Sequence, residues 1–205
     1  MERWFTRQLE QWREYRKRKL AGVAGILLNS GLTSVRMTLL SLLLGMGAAY
    51  FLFQSSLLYI VLALLHLLAD ALDGVIASLE VKPAPGGVRW GVTWGVNWGA
   101  DFGKYFDAGT DAFVTLLLLG KVAFTLQDPY AFIVVGLYAL VQLIYFISRM
   151  AAPTLQVRTV TVVLLMISAL AFPWLNQLLL LVIGISGVSS LYSLARQLQW
   201  RMGRR

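Results

Sequence analysis

The chain has no cysteine among its 205 residues, which excludes a disulfide framework and any thiolate metal site. Charge is also scarce. Asp, Glu, Lys and Arg together make up 14% of the sequence, where a soluble domain carries about a quarter. What fills the space is hydrocarbon: 58% of residues are hydrophobic and the mean hydropathy is +0.69. The first 20 residues are too charged to read as a signal peptide. These features describe a one-domain integral membrane protein, all-α in class.

A bilayer-spanning helix needs about 20 apolar residues, and six stretches qualify: 33–53, 57–78, 104–126, 130–149, 158–174 and 177–195. Turn-forming residues separate them, at Gln54-Ser55-Ser56, Gln127-Asp128-Pro129, Ala152-Pro153, and Pro173 with Asn176-Gln177. Six spans put both termini on one side. Lys and Arg accumulate on that side: seven in residues 2–20, Lys82 and Arg89 in the 79–102 loop, Arg149 and Arg158 around the next turn, and Arg201, Arg204 and Arg205 in the tail. The three opposite loops have none. By the positive-inside rule the termini are expected in the cytoplasm, with the chain in the cell inner membrane. The basic excess reads as orientation, and no nucleic-acid partner is expected.

Residues 1–28 are expected to form an interfacial amphipathic helix and its connection. Trp4, Phe5, Leu9, Trp12 and Tyr15 recur mostly at three- and four-residue steps among basic residues, a pattern suited to anionic lipid. A solvated basic arm is the plainer alternative. The spans fill 29–196, and 197–205 is a basic tail.

Four acids interrupt the hydrocarbon. Asp70 and Asp73, three apart, share a face near the inner end of the second span. Asp107 and Asp111, four apart, do the same at the start of the third. If the two helices are antiparallel neighbours, four carboxylates converge at the inner membrane boundary. Left alone they would repel one another. Oxygen clusters of this kind bind hard divalent cations, Mg²⁺ (or Mn²⁺) above all when phosphate is present. Gly74, Ala77 and Gly103 lie close by in sequence and let a bulky ligand approach the backbone. Ionisable residues within a membrane are functional by default.

The pattern Asp70-x2-Asp73-Gly74-x2-Ala77 … Gly103-x3-Asp107-x3-Asp111 resembles the signature of the CDP-alcohol phosphotransferase family, D-x2-D-G-x2-A-R-x8-G-x3-D-x3-D. Asn29-x2-Leu32-Thr33-x2-Arg36 is similar to the family's N-x-L-T-x2-R opening, with one extra residue after the Asn. Ser78 stands where the family has Arg, and the 24 residues 79–102 replace about eight. That cytoplasmic insertion, rich in Trp and Gly, repeats WGV, WGV and WGA. Trp90, Trp94 and Trp98 read as headgroup-level anchors, or else as a cover over the nucleotide with Arg89 supplying the missing guanidinium.

The resemblance implies transfer of a phosphatidyl-type group from a CDP-linked lipid, usually CDP-diacylglycerol, to a small alcohol, releasing CMP. It implies Asp70, Asp73, Asp107 and Asp111 as ligands of two metal ions, with Asp111 also the general base. Asn29, Thr33, Asp73, Gly74, Ala77 and Gly103 would meet the nucleotide. Arg149, Arg158 and Arg196 fall at inner ends of late spans, and ISRM and VRT, around Arg149 and Arg158, resemble places where the family holds an acceptor's phosphate; the three together point to glycerol 3-phosphate or an inositol phosphate, the plainer alternative being that they only follow the positive-inside rule. His66, one turn before Asp70, reads as a ligand's partner or a satisfied core residue. Homodimers are usual in such proteins. The alternatives are an unphosphorylated acceptor and, in a different class, a cation- or proton-coupled transporter.

Overall fold

A computed structural model describes residues 2–80, 100–155 and 157–202. Most of the expected insertion, including Arg89 and the three repeat tryptophans, lies outside the described residues, as do Arg204 and Arg205. Among the described residues the chain is helical throughout: α1 Glu2–Asn29, α2 Ser34–Phe51, α3 Ser56–Glu80, α4 Ala100–Leu126, α5 Pro129–Ile147, α6 Arg158–Leu170, a 3₁₀ turn Phe172–Trp174, and α7 Leu175–Met202.

Five helices (α2, α3, α4, α5 and α7) are long and apolar enough to cross a membrane. Their large apolar side chains stay exposed around the outside of the bundle, Leu57, Ile133, Ile147 and Val188 among them. This is a membrane protein. Four of the five begin and end within four residues of the expected limits, and α7 runs seven residues past its expected end, to Met202.

The fifth expected span, 158–174, differs. In its place the chain makes a 13-residue helix, α6, only about 20 Å long against a hydrocarbon core of about 30 Å. Pro173 ends it, since proline offers no N–H and disfavours helical backbone in the residue before it. Local chemistry sets other boundaries as well. Asp128 caps α5 by accepting from the Tyr130 N–H at 2.9 Å, and Pro129 occupies the first helical position, where no donor is missed.

The first 29 residues differ too. The expected connection is helical, because α1 continues unbroken to Asn29. Leu20, Ala24, Leu27 and Leu28 pack with Leu72, Val75 and Ile76 of α3. Side chains 1–13, which carry most of the aromatic stripe, lie outside the described residues. The helix ends in a Schellman turn: Leu32 N–H bonds Leu27 C=O, Gly31 N–H bonds Leu28 C=O, and Gly31 takes φ +85°. Only glycine adopts that backbone cheaply.

Lipid tails are as apolar as leucine, so the helices associate by close packing. α2 presents Thr38, Ser41, Gly45, Ala48 and Ala49 as a buried stripe of small residues. At Gly45 the fit is tightest: a Cβ there would stand 2.8 Å from Val114 Cγ2 and 3.1 Å from His66 Nδ1. Val114 is stiff at χ1 and cannot yield easily. Gly45→Val is therefore expected to lower stability by about 1–3 kcal/mol through overpacking. Gly136→Ala, where an added Cβ meets nothing within 4 Å, should leave the thermal midpoint in detergent unchanged or slightly raised. Equal midpoints for the two variants would remove the close three-helix approach as the reason for Gly45.

Candidate functional site

The N-terminus of α2, the C-terminal part of α3, the N-terminal part of α4 and the start of α6 meet at one end of the bundle. α3 and α4 each extend past the acids, so the carboxylates sit about ten residues inside the helix ends. Asp70, Asp107 and Asp111 each offer an oxygen within 4.8 Å of the others. Three carboxylate oxygens at that spacing fit a hard divalent cation such as Mg²⁺ or Mn²⁺.

Asp73 is not in that group. It is 5% exposed and turns toward α2, where Ser34 Oγ donates to its Oδ1 at 2.5 Å and Thr38 Oγ1 donates to its Oδ2. The two hydroxyls stand four residues apart on α2, one above the other, and grip both oxygens of one carboxylate. Sequence reasoning passed over them. The signal was present, since two hydroxyls at i, i+4 near the start of an apolar span can face an acid at the same depth.

Arg158 is the other element not foreseen in this place. It is the first residue of α6, and it bridges the acids: Nη2 lies 2.5 Å from Asp70 Oδ2 and Nη1 bonds Asp111 Oδ1. The side chains of Arg158, Asp70 and Asp111 are 9%, 22% and 14% exposed. A forked guanidinium suits two carboxylates better than a point charge would. The Asp107 carboxylate has no hydrogen-bonding partner among the described residues, although its backbone C=O accepts from Thr110 Oγ1 at 2.7 Å. α6 opens at Arg158, where the expected span also begins, and this start sets the residue at the level of the acids with the positive end of the helix macrodipole at the same end of the bundle.

The remaining expected residues fall around this centre. Arg149 and Arg196 are exposed at the same end, so among the three arginines only Arg158 is turned into the cluster. Asn29 is exposed at the end of α1, and Thr33 precedes α2 without a side-chain cap bond. Gly74 and Gly103 are exposed, and Ala77 is half-buried. Arg36 donates to Gly31 C=O at 2.7 Å, fastening the α1–α2 turn. Ser78, in the place of the motif arginine, bonds back to Val75 C=O at 2.7 Å.

His66 is a buried core residue joined to α2. Its Nδ1 lies 2.8 Å from Ser41 C=O; a carbonyl only accepts, so Nδ1 carries the proton. An open apolar groove of about 360 Å³ is lined by Leu42 of α2 and by Tyr105, Phe106, Gly109, Thr110 and Phe113 of α4.

Compared with known proteins, the chain matches no family model, no curated protein and no solved structure.

The Asp73 clamp is open to test. Thr38→Val keeps shape but leaves a buried carboxylate oxygen without its donor, and is expected to lower stability by about 1–3 kcal/mol. Ser34→Ala, at a half-buried position, should cost less. An unchanged unfolding midpoint for Thr38→Val would mean that Asp73 is satisfied by another group.

Proposed function

We propose that the chain is a metal-dependent phosphotransferase of the membrane boundary. In this reading it moves a phosphatidyl-type group from a CDP-linked lipid such as CDP-diacylglycerol to a small alcohol, releasing CMP. The observation that carries the reading is the set of three oxygens of Asp70, Asp107 and Asp111 within 4.8 Å of one another, on helices whose acids have the spacing of the motif described above. By the positive-inside rule the acids and both termini face the cytoplasm of the cell inner membrane.

Asp70, Asp107 and Asp111 would hold the metal, with Asp73 beside them and oriented by Ser34 and Thr38. A divalent cation there supplies charge neutralisation for the pyrophosphate and for departing CMP. The chain's own part is positioning and proton transfer. The alcohol oxygen attacks the lipid-bearing phosphorus, the bond from that phosphorus to the CMP oxygen breaks, and Asp111 takes the hydroxyl proton. In-line displacement needs no Ser, Cys or His nucleophile. The groove between α2 and α4 suits an acyl chain of a lipid-linked donor, being apolar and on the helix that carries two of the acids. The exposed arginines Arg149 and Arg196 favour a phosphorylated alcohol as acceptor, glycerol 3-phosphate or an inositol phosphate. Should Arg158 stay engaged with Asp70 and Asp111 throughout, an unphosphorylated alcohol becomes the better acceptor.

A transporter would carry its carboxylates near the midplane, between broken helices. Here they lie toward one end, on α3 and α4, which run unbroken past them.

The deciding experiment incubates purified protein with labelled CDP-diacylglycerol and a panel of alcohols, reading CMP and lipid product. Excess chelator is expected to abolish CMP release, and unchanged turnover would sink the metal-centred reading. Asp111→Asn should lower turnover by about 10²–10⁴-fold at saturating substrates, the usual contribution of a general base. Near-normal turnover would assign the base elsewhere. A protein that neither releases CMP nor binds it in a Mg²⁺-dependent way would instead fit a transporter.

A further inference from the structure

Arg158 and a divalent cation call on two of the same carboxylates. The guanidinium holds Asp70 Oδ2 and Asp111 Oδ1, and both residues belong to the three-acid set suited to a metal. A carboxylate oxygen bound to a metal cannot keep the same short contact with a cation placed between the two acids, because like charges repel at that distance.

The guanidinium is also held incompletely. Arg158 is 7% exposed, yet its Nε is buried with no hydrogen-bonding partner. Such an orphaned donor is costly, and in a site built only to hold an arginine it would be paired. The charges do not balance either. Asp70, Asp107 and Asp111 share one arginine, and it contacts only two of the three. The Asp107 carboxylate, with no partner among the described residues, adds an oxygen that Arg158 does not use.

We infer that Arg158 is a displaceable internal counter-ion. It neutralises Asp70 and Asp111 while no metal is bound, and metal binding expels it from between them. The inference rests on the metal-centred reading of the site. Exchange of this kind couples two events. Metal loading frees a guanidinium at the end of the bundle where Arg149 and Arg196 are exposed, making a further group available for an anionic substrate. By linkage, whatever weakens the hold of Arg158 on the acids strengthens metal binding by the same factor.

The test uses the whole purified chain, in detergent or nanodiscs, with Mn²⁺ as the probe. Mn²⁺ binding is followed by electron paramagnetic resonance, and arginine accessibility by phenylglyoxal labelling mapped by mass spectrometry. Arg158 is expected to resist labelling without divalent cation and to label several-fold faster with saturating Mn²⁺. Arg149 and Arg196, already exposed, should label alike in both. Arg158→Gln should bind Mn²⁺ at least about tenfold tighter, the scale of one displaced charge-assisted hydrogen bond, with Arg158→Lys in between. Mn²⁺ binding that leaves Arg158 equally protected would overturn the exchange and leave the metal-centred reading standing. Failure of the wild type and both variants to bind Mn²⁺ would overturn that reading and the exchange with it. Should Arg158→Gln not fold, the labelling of the wild type decides alone.

Discussion

One guanidinium shared by two carboxylates sets the terms for this end of the molecule. A charge taken out of water must be paired and hydrogen-bonded, and removing one partner from a buried pair costs about 3–5 kcal/mol. Arg158 can reach Asp70 and Asp111 only because α6 starts at their depth. The chain from Ser148 to Leu155 joins α5 to that level through turns and bends, without a helix. α5 accordingly stops in a Schellman turn with Arg149 and Met150 at φ +55° and +62°, and Met150 N–H reaches back to Tyr145 C=O. Two consecutive non-glycine residues in the left-handed region are unfavourable, and the capping bonds at the helix end offset that cost. The joining segment is fastened to α7 where Ser193 Oγ accepts from Leu155 N–H at 3.0 Å. The start of α6, the left-handed turn and the fastened loop thus go with one ion-pair geometry, while Pro173 sets the far end of the helix.

The opposite end of the bundle solves a smaller version of the same problem. Lys121 is the lone cation near that end among the described residues, and Nζ donates to the carbonyls of Ala49 and Tyr50 at the C-terminus of α2. Those carbonyls have no partner within their own helix, and a cation at a helix C-terminus also meets the negative end of the macrodipole. The Tyr50 and Phe53 rings lie 5.8 and 6.0 Å from the same ammonium. Each end of the bundle therefore uses one long basic side chain, from another helix, to satisfy groups that a hydrocarbon environment would leave bare.

Much of this was legible in the sequence, and the failures have physical causes. Hydropathy located α2, α3, α4, α5 and α7 because a spanning helix must be apolar along its whole length. It overran at α6, since Ala171 to Trp174 is apolar enough to extend the window while Pro173 forbids the helix. It also missed that residues 21–28 continue α1, because small apolar residues flanking a charged segment look alike in a linker and in a helix packed on a neighbour. The acid cluster was legible through its three- and four-residue spacing, a local property of helices. The partners of those acids were not. Ser34 and Asp73 are 39 residues apart, and Arg158 and Asp70 are 88 apart, and which faces meet over such separations depends on the packing of the whole bundle. An arginine opening an apolar helix also satisfies the positive-inside rule, so its second possible use, pairing with acids at the same depth, is hidden behind the first.

The four aspartates are alike in composition and unlike in surroundings. Asp73 is held by two neutral hydroxyls, Asp70 and Asp111 share a cation, and the Asp107 carboxylate has neither kind of partner among the described residues. Neutral donors fix a carboxylate without competing for a metal's charge, whereas a guanidinium does compete. On the proposed reading this difference bears most on Asp111. A general base needs a free lone pair directed at the incoming hydroxyl, and Arg158 occupies one oxygen of Asp111. The base is therefore unavailable, at that oxygen, for as long as the arginine stays. Proton abstraction and release of Arg158 become successive parts of one requirement, with the reactive carboxylate exposed only after another cation has taken over the neutralising role. A site arranged in this way keeps Asp70 and Asp111 next to a cation at each stage, as a buried charge in hydrocarbon requires.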